Sequence, residues 1–273
     1  MTDRAHIFQR LPTFLALMLV QSSVPAAEPV RLIAHRGGVV NESIIENNLA
    51  AINEAARRGY WMVEADIRCS RDGVPVVHHD RTFERYYGDP RPLADLDWAE
   101  IAALRSTPGN ERPLQFAEYA EACKGRLQIM LDIKGNDPAP EFLDAIEAAL
   151  VEHDLLKGAY VIGSDQAKRH FRDKARISAS AETLFAAAQR GEPVSQRYFL
   201  FDRGSRVTAP IIRRARELEI PVVAAINRFR YPDDDEEALS LARSDIARLR
   251  ELGVTRFQID SQYDVWLLDS PGP

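Results

Sequence analysis

Five short segments of the chain carry residue types that move protons, hold cations or neutralise anions. In order they are His35-Arg36-Gly37-Gly38, Glu46-Asn47, Glu64 and Asp66 two apart, His78-His79-Asp80, and Asp132 and Lys134 two apart. Imidazoles exchange protons near neutral pH, so paired histidines suit general acid and base work. Glycines behind a histidine and a cation let the backbone approach an anionic ligand closely. Glu64, Asp66 and Asp132 make a hard oxygen site of the kind that takes one divalent cation, Mg2+ or Ca2+; zinc would call for cysteine or clustered histidine ligands.

These residues act together only if the fold brings them to one place. Short apolar or β-branched runs alternate with helical patterns: Val30 to Ala34, Trp61 to Ile67, Leu127 to Ile133, Tyr160 to Ile162, Tyr198 to Phe201, Val222 to Ile226 and Arg256 to Ile259. Helices such as Asn48 to Arg58 and Leu239 to Leu252 lie between them, the latter with Leu239, Ala242, Ile246 and Leu249 repeating at three and four. An eighth strand is expected near Arg176 to Ser178. The rhythm predicts an α/β fold, a TIM-type (β/α)8 barrel whose site lies at the C-terminal ends of its strands. On strand two, the spacing of Glu64 and Asp66 puts both carboxylates on one face, the inward one if Met62 also points in. Arg71-Asp72-Gly73 is too short for a helical crossover and predicts an added β-hairpin after strand two. Counting back from a three-residue turn sets His79 opposite Ala65, between the two acids. A slip by one residue would put His78 there instead.

Composition bounds the rest. The 273 residues are 45% hydrophobic and 28% charged, with a net charge of -6, which lacks the basic field of a nucleic-acid binder. Arg4 and Arg10 precede the apolar run Leu11 to Val20 and the small residues of Val24-Pro25-Ala26. We therefore expect residues 1–27 to be a cleaved signal peptide, residues 28–273 to form a single domain, and the protein to be periplasmic or secreted without a stable membrane anchor, since about ten apolar residues fall short of the ~20 that span a bilayer. In a barrel Cys69 and Cys123 would lie on opposite faces, which argues against a disulfide. Asp233 to Glu237 reads as the acidic first turn of a helix whose arginines follow, and Asp97 to Glu100 as a capping box. His153 and His170 fall on helices, apart from the strand-end segments, and read as surface residues.

Taken together, the segments resemble the glycerophosphodiester phosphodiesterase family. Its pattern of His-Arg-Gly, Pro-Glu-Asn, Glu-x-Asp, Lys-Asp-Gly, His-Asp and Glu-x-Lys is matched by His35-Arg36-Gly37, Glu46-Asn47, Glu64-Ala65-Asp66, Asp72-Gly73, His79-Asp80 and Asp132-Ile133-Lys134. Ile45 stands for the usual proline, Asn48 for threonine, and Asp132 is one methylene shorter than the common glutamate. The late Trp-Thr-x-Asn and Thr-Asp-x-Pro motifs become Ala224-Ala225-Ile226-Asn227 and Ile259-Asp260-Ser261-Gln262. The resemblance implies hydrolysis of a small glycerophosphodiester or lysophospholipid-like substrate at a metal held by Glu64, Asp66 and Asp132. It further implies His35 as general base and His79 as general acid, or the reverse, with Arg36 and Lys134 on the phosphate and Glu46 and Asn47 positioning His35 or the metal's water. Two rival readings are a phospholipase or sphingomyelinase D type enzyme that releases a cyclic phosphate, with Tyr86-Tyr87 and Phe229 to Tyr231 as an apolar rim, and a non-catalytic phosphoester-binding protein.

Overall fold

A computed structural model describes residues 28–268; the segment read as a signal peptide lies outside them. The strands in chain order are β1 (Arg31–Ala34), β2 (Met62–Cys69), β3 (Pro75–Val77), β4 (Thr82–Phe83), β5 (Asp89–Pro92), β6 (Leu114–Gln115), β7 (Gln128–Ile133), β8 (Tyr160–Gly163), β9 (Arg176–Ala179), β10 (Tyr198–Arg203), β11 (Val222–Ile226) and β12 (Arg256–Ile259). Eight of these, β1, β2 and β7 to β12, pair in parallel, and β1 closes the ring by pairing with both β12 and β2. The TIM-type barrel expected from the rhythm of the sequence is the fold found. Its eighth strand is β9, paired with β8 and β10; its sequence signal is weak because its apolar side chain Ile177 sits between Arg176 and Ser178.

Alternation along the strands builds two cores. Ile33, Met62, Met130, Tyr160, Ile162, Phe199 and Val223 fill the barrel interior. Their neighbours, such as Leu32, Val63, Ala65, Leu131 and Phe257, pack outward under the helices. Because both faces are buried, the strands read as nearly continuous apolar runs, with the acids of β2 and β7 toward the mouth and an arginine at the opposite end of β1, β9 and β12. Met62 belongs to the interior set, so Glu64 and Asp66 point inward from the same strand.

The helix Leu49–Arg57 starts at Asn48, whose side chain accepts from the Ala51 N–H at 2.8 Å. The helix Asp235–Glu251 starts at Asp234, which accepts from the Glu237 N–H at 2.8 Å, and it carries acids in its first turn and Arg248 and Arg250 in its last. Its buried stripe is Ala238, Ala242, Ile246 and Leu249; Leu239, expected on that stripe, is 39% exposed at its edge. Asp97 and Glu100 form the expected capping box. Between the hairpin and β6 lies a small annex, in which the β4–β5 ribbon and short helices pack Val76, Phe83, Leu93, Leu96 and Ile101 into a separate cluster. Cys69 ends β2, Cys123 ends the helix Phe116–Cys123 that leads into β7, and both are free. Among the described residues no helix is long and apolar enough to cross a membrane.

Candidate active site

The chain leaves β1 in a tight turn that only its glycines permit. Gly37 has φ +80° and Gly38 φ +144°, and a Cβ would sit 2.5 Å from Asn47 Cα at the first and 2.4 Å from the Ala51 carbonyl at the second. Arg36 is itself left-handed, at φ +57°. This turn aims the Arg36 N–H at Glu64 Oε2, 2.7 Å away, and lets the Arg36 carbonyl accept from the Asn47 N–H at 3.0 Å. It also presents His35, whose Nδ1 donates to Asp260 Oδ1 at 2.5 Å. Asp260 stands just past β12, and its other oxygen accepts from the Arg228 N–H at 2.5 Å. The two N–H donors hold its carboxyl below the usual range against the burial that raises it. With Nδ1 engaged, Nε2 is the ring nitrogen left to work.

Register brings the acids together. Asp66 pairs with Asp132 across β2 and β7, and carboxylate oxygens of Glu64, Asp66 and Asp132 lie within 4.8 Å of one another. Burial first, then the charges of Asp66 and Asp132, push the Glu64 carboxyl well above its ordinary value. Burial acts on Asp66 in the same sense, but Lys134, His79 and Asn47 outweigh it and hold that carboxyl down. The Lys134 ammonium lies 2.7 Å from Asp66 Oδ1 and also contacts Asp132, and those two acids raise its pKa despite burial. Three converging acids, two of them fully buried, with Asp66 Oδ1 lacking an aligned hydrogen bond, form a donor set that fits a hard divalent cation.

The hairpin settles which histidine faces this cluster. Ile67 pairs with Val77 and Cys69 with Pro75, and the same register carried onward sets His79 opposite Ala65, as counted from the turn. His78 points the other way. It is buried, its Nε2 donates to the Thr82 carbonyl at 2.9 Å, and its ring lies 4.3 Å from that of Phe83; burial lowers its pKa. His79 is half-buried at the mouth, with Nδ1 donating to Asp80 Oδ1 at 2.8 Å. Its carbonyl accepts twice from Arg68, at 2.9 and 2.6 Å.

Asn47 donates to Asp66 Oδ2 at 3.0 Å and so steadies a member of the acid cluster. Glu46 does not do what its neighbour does. Its carboxylate is taken up by Arg36 at 2.9 Å and by Arg85 at 2.6 Å, and Arg85 also donates to Asp80 at 2.7 Å; it positions two arginines, with no hydrogen bond to His35. Sequence reasoning missed Arg68 and Arg85, and it noted Asp260 only as a strand-end acid. A cavity of about 560 Å³ opens beside His35, lined among others by Arg36, Arg85, Tyr86 and Phe229. His170 lies away from the mouth, and its reading as a surface residue is corrected: its Nε2 is 2.7 Å from Glu147, near Asp144, and it is largely buried. A helical spacing hid this because the partner acids sit on the preceding helix.

The fold and the mouth together define a (β/α)8 barrel with a carboxylate cluster and two carboxylate-oriented imidazoles at the C-terminal ends of its strands. Residues 35–233 match the Glycerophosphoryl diester phosphodiesterase family, and the chain belongs to it. Human glycerophosphodiester phosphodiesterase 1 is 31% identical over 170 residues, which cover 59% of this chain and 49% of that protein. A probable glycerophosphodiester phosphodiesterase 2 of Mycobacterium tuberculosis is 27% identical over 47% of each chain. The chain thus spans about half the length of these curated relatives. Among solved structures, a putative glycerophosphodiester phosphodiesterase from Galdieria sulphuraria superposes with a TM-score of 0.70 at 17% identity, covering 90% of this chain and 98% of that one. A phosphodiesterase from Oleispira antarctica in complex with the product sn-glycerol-3-phosphate gives 0.66 at 20% identity, covering 88% and 97%. At these identities the structures share the fold.

Proposed function

We propose that the protein hydrolyses glycerophosphodiesters to glycerol 3-phosphate and an alcohol, with His35 and His79 as its acid-base pair. The observation that carries this reading is that each imidazole is oriented through Nδ1 by a carboxylate, Asp260 or Asp80, beside the Glu64, Asp66 and Asp132 cluster. Those three acids would hold Mg2+ or Ca2+, which when bound neutralises a phosphate oxygen and orients the ester. His35 Nε2 takes the proton of the substrate's neighbouring hydroxyl as that hydroxyl attacks phosphorus, and His79 gives a proton to the departing alkoxide. In the second step water attacks and gives its proton to His79, while His35 returns its own to the hydroxyl that leaves. Arg36, held by Glu46, and Lys134 supply fixed positive charge toward the phosphate oxygens as charge builds in the transition state. The activity for which the human relative is named and the product held by the Oleispira protein support the same chemistry here.

The test is product analysis of purified protein on a panel of glycerophosphodiesters, with and without EDTA. Glycerol 3-phosphate should appear, cease on chelation and return with added Mg2+ or Ca2+. Turnover indifferent to exhaustive chelation would sink the cation assignment, and a cyclic phosphate as the end product would favour the phospholipase-like reading. Phe229, 63% exposed on the wall of the His35 cavity, favours one extension: a glycerol end that carries an acyl chain, as in a lysophospholipid.

A further inference from the structure

We infer that the groove between Lys134 and Arg81 receives an anionic group carried by the departing alcohol, and that Arg81 selects for it. The inference rests on the hydrolysis proposed above, with His79 as the acid. The groove has a volume of about 480 Å³ and is lined by Arg68, Arg81, Leu93, Lys134 and Asn136 among others, within the size range of small-ligand sites. Two of its wall residues also touch the catalytic centre. Lys134 is the lysine held by Asp66 and Asp132, and Arg68 holds the His79 carbonyl. A diester whose phosphate rests on Lys134, as proposed above, can turn its departing alcohol into this groove.

Its wall carries three cations and no carboxylate. Asp66 and Asp132 balance Lys134, and Asp80 is taken up by His79 and Arg85, which leaves Arg68 and Arg81 as the wall cations without a carboxylate partner among the described residues. Arg36, Arg85 and Arg228, the arginines of the neighbouring cavity, each have a carboxylate partner. Arg81 is exposed and makes no side-chain hydrogen bond or ion pair with any described residue. A pocket with this unbalanced charge, a forked donor at its rim and Asn136 beside it attracts a carboxylate or phosphate and repels a bare ammonium. The substrate class is therefore a diester whose alcohol bears a second negative group.

Glycerophosphoserine and glycerophosphoethanolamine differ by one carboxylate on the alcohol, and they make the test. For the wild-type protein with Mg2+, kcat/KM should favour the serine diester by about tenfold or more, the worth of a charge-assisted hydrogen bond. Arg81→Met should bring that ratio down toward one, whereas Arg213→Met, an exposed arginine on an outer helix, should not move it. A wild-type ratio of one or less, a ratio unchanged by Arg81→Met, or an equal fall in Arg213→Met overturns the inference and leaves the diester hydrolysis standing. Absence of product from both diesters overturns both.

Discussion

Asp260→Asn is expected to damage turnover more than Asp260→Ala, although it is the smaller change. Asp260 faces two donors at 2.5 Å, the Arg228 N–H and His35 Nδ1. In the asparagine variant the backbone N–H retains the amide oxygen, so His35 Nδ1 meets the amide NH2. Two donors cannot face each other, so Nδ1 must accept and the ring proton moves to Nε2. A general base must offer a lone pair at that atom, and the contribution forfeited is about 10²- to 10⁴-fold. In the alanine variant both tautomers remain open and only a charge-assisted hydrogen bond is lost, roughly 1.5–3 kcal/mol or about 10- to 10²-fold. The assay is kcat on a glycerophosphodiester at saturating Mg2+, with circular dichroism to confirm folding. An asparagine variant within about threefold of wild type, or an alanine variant slower than it, would refute the orientation argument.

His79→Ala should lower kcat by about 10²-fold or more on an alkyl diester and be largely rescued on a nitrophenyl diester, whose leaving group needs no acid; rescue of His35→Ala instead would exchange the two roles. His78→Ala should spare turnover and lower Tm, because it removes a buried ring against Phe83 and a bond to Thr82, roughly 2–3 kcal/mol or about 5–10 °C; a dead but stable variant would contradict this. Burial and the neighbouring acids keep Glu64 protonated to higher pH in the cation-free fold than in the unfolded chain, so stability should be full below the ordinary glutamate range and fall as pH rises through and above it. Glu64→Gln should flatten that fall and abolish the cation-induced rise in Tm, which for wild type at 100 times Kd corresponds to about 2.7 kcal/mol; thermal melts across pH with and without Mg2+ decide it. Gly38→Ala should prevent stable folding, since its Cβ would lie 2.4 Å from the Ala51 carbonyl, and a soluble, active variant would show that the turn can relax.

What could be read from the sequence was local. Glu64 and Asp66 share a face because strand periodicity is two, and the hairpin register follows from the Asp72-Gly73 turn, where Gly73 has φ +86° and Ser70 accepts from the Val74 N–H through its hydroxyl. Helix starts at Asn48 and Asp97 likewise depend on residues three positions away. The partners that orient the histidines and arginines do not. Nothing in the spacing of Glu46 shows that Arg85 will cross to meet it, because that contact is made by the annex around Phe83 and Leu93, whose two- and four-residue strands carry too little pattern to register. His35 and Asp260 meet only because β1 and β12 are neighbours in the ring, a fact of closure rather than of composition.

That last contact makes the two imidazoles unequal under stress. His79, Glu64 and Asp66 belong to one hairpin and travel together, whereas His35 is held by a residue 225 positions away across the seam where the first and last strands join. Fraying of that seam would release His35 while the hairpin and most of the ring stayed intact. In mild denaturant, inactivation should therefore run ahead of the loss of secondary structure, and the enzyme would fall silent in a state that spectroscopy still scores as folded. A cell would experience such a seam as a thermal cut-off on activity set below the melting of the barrel itself.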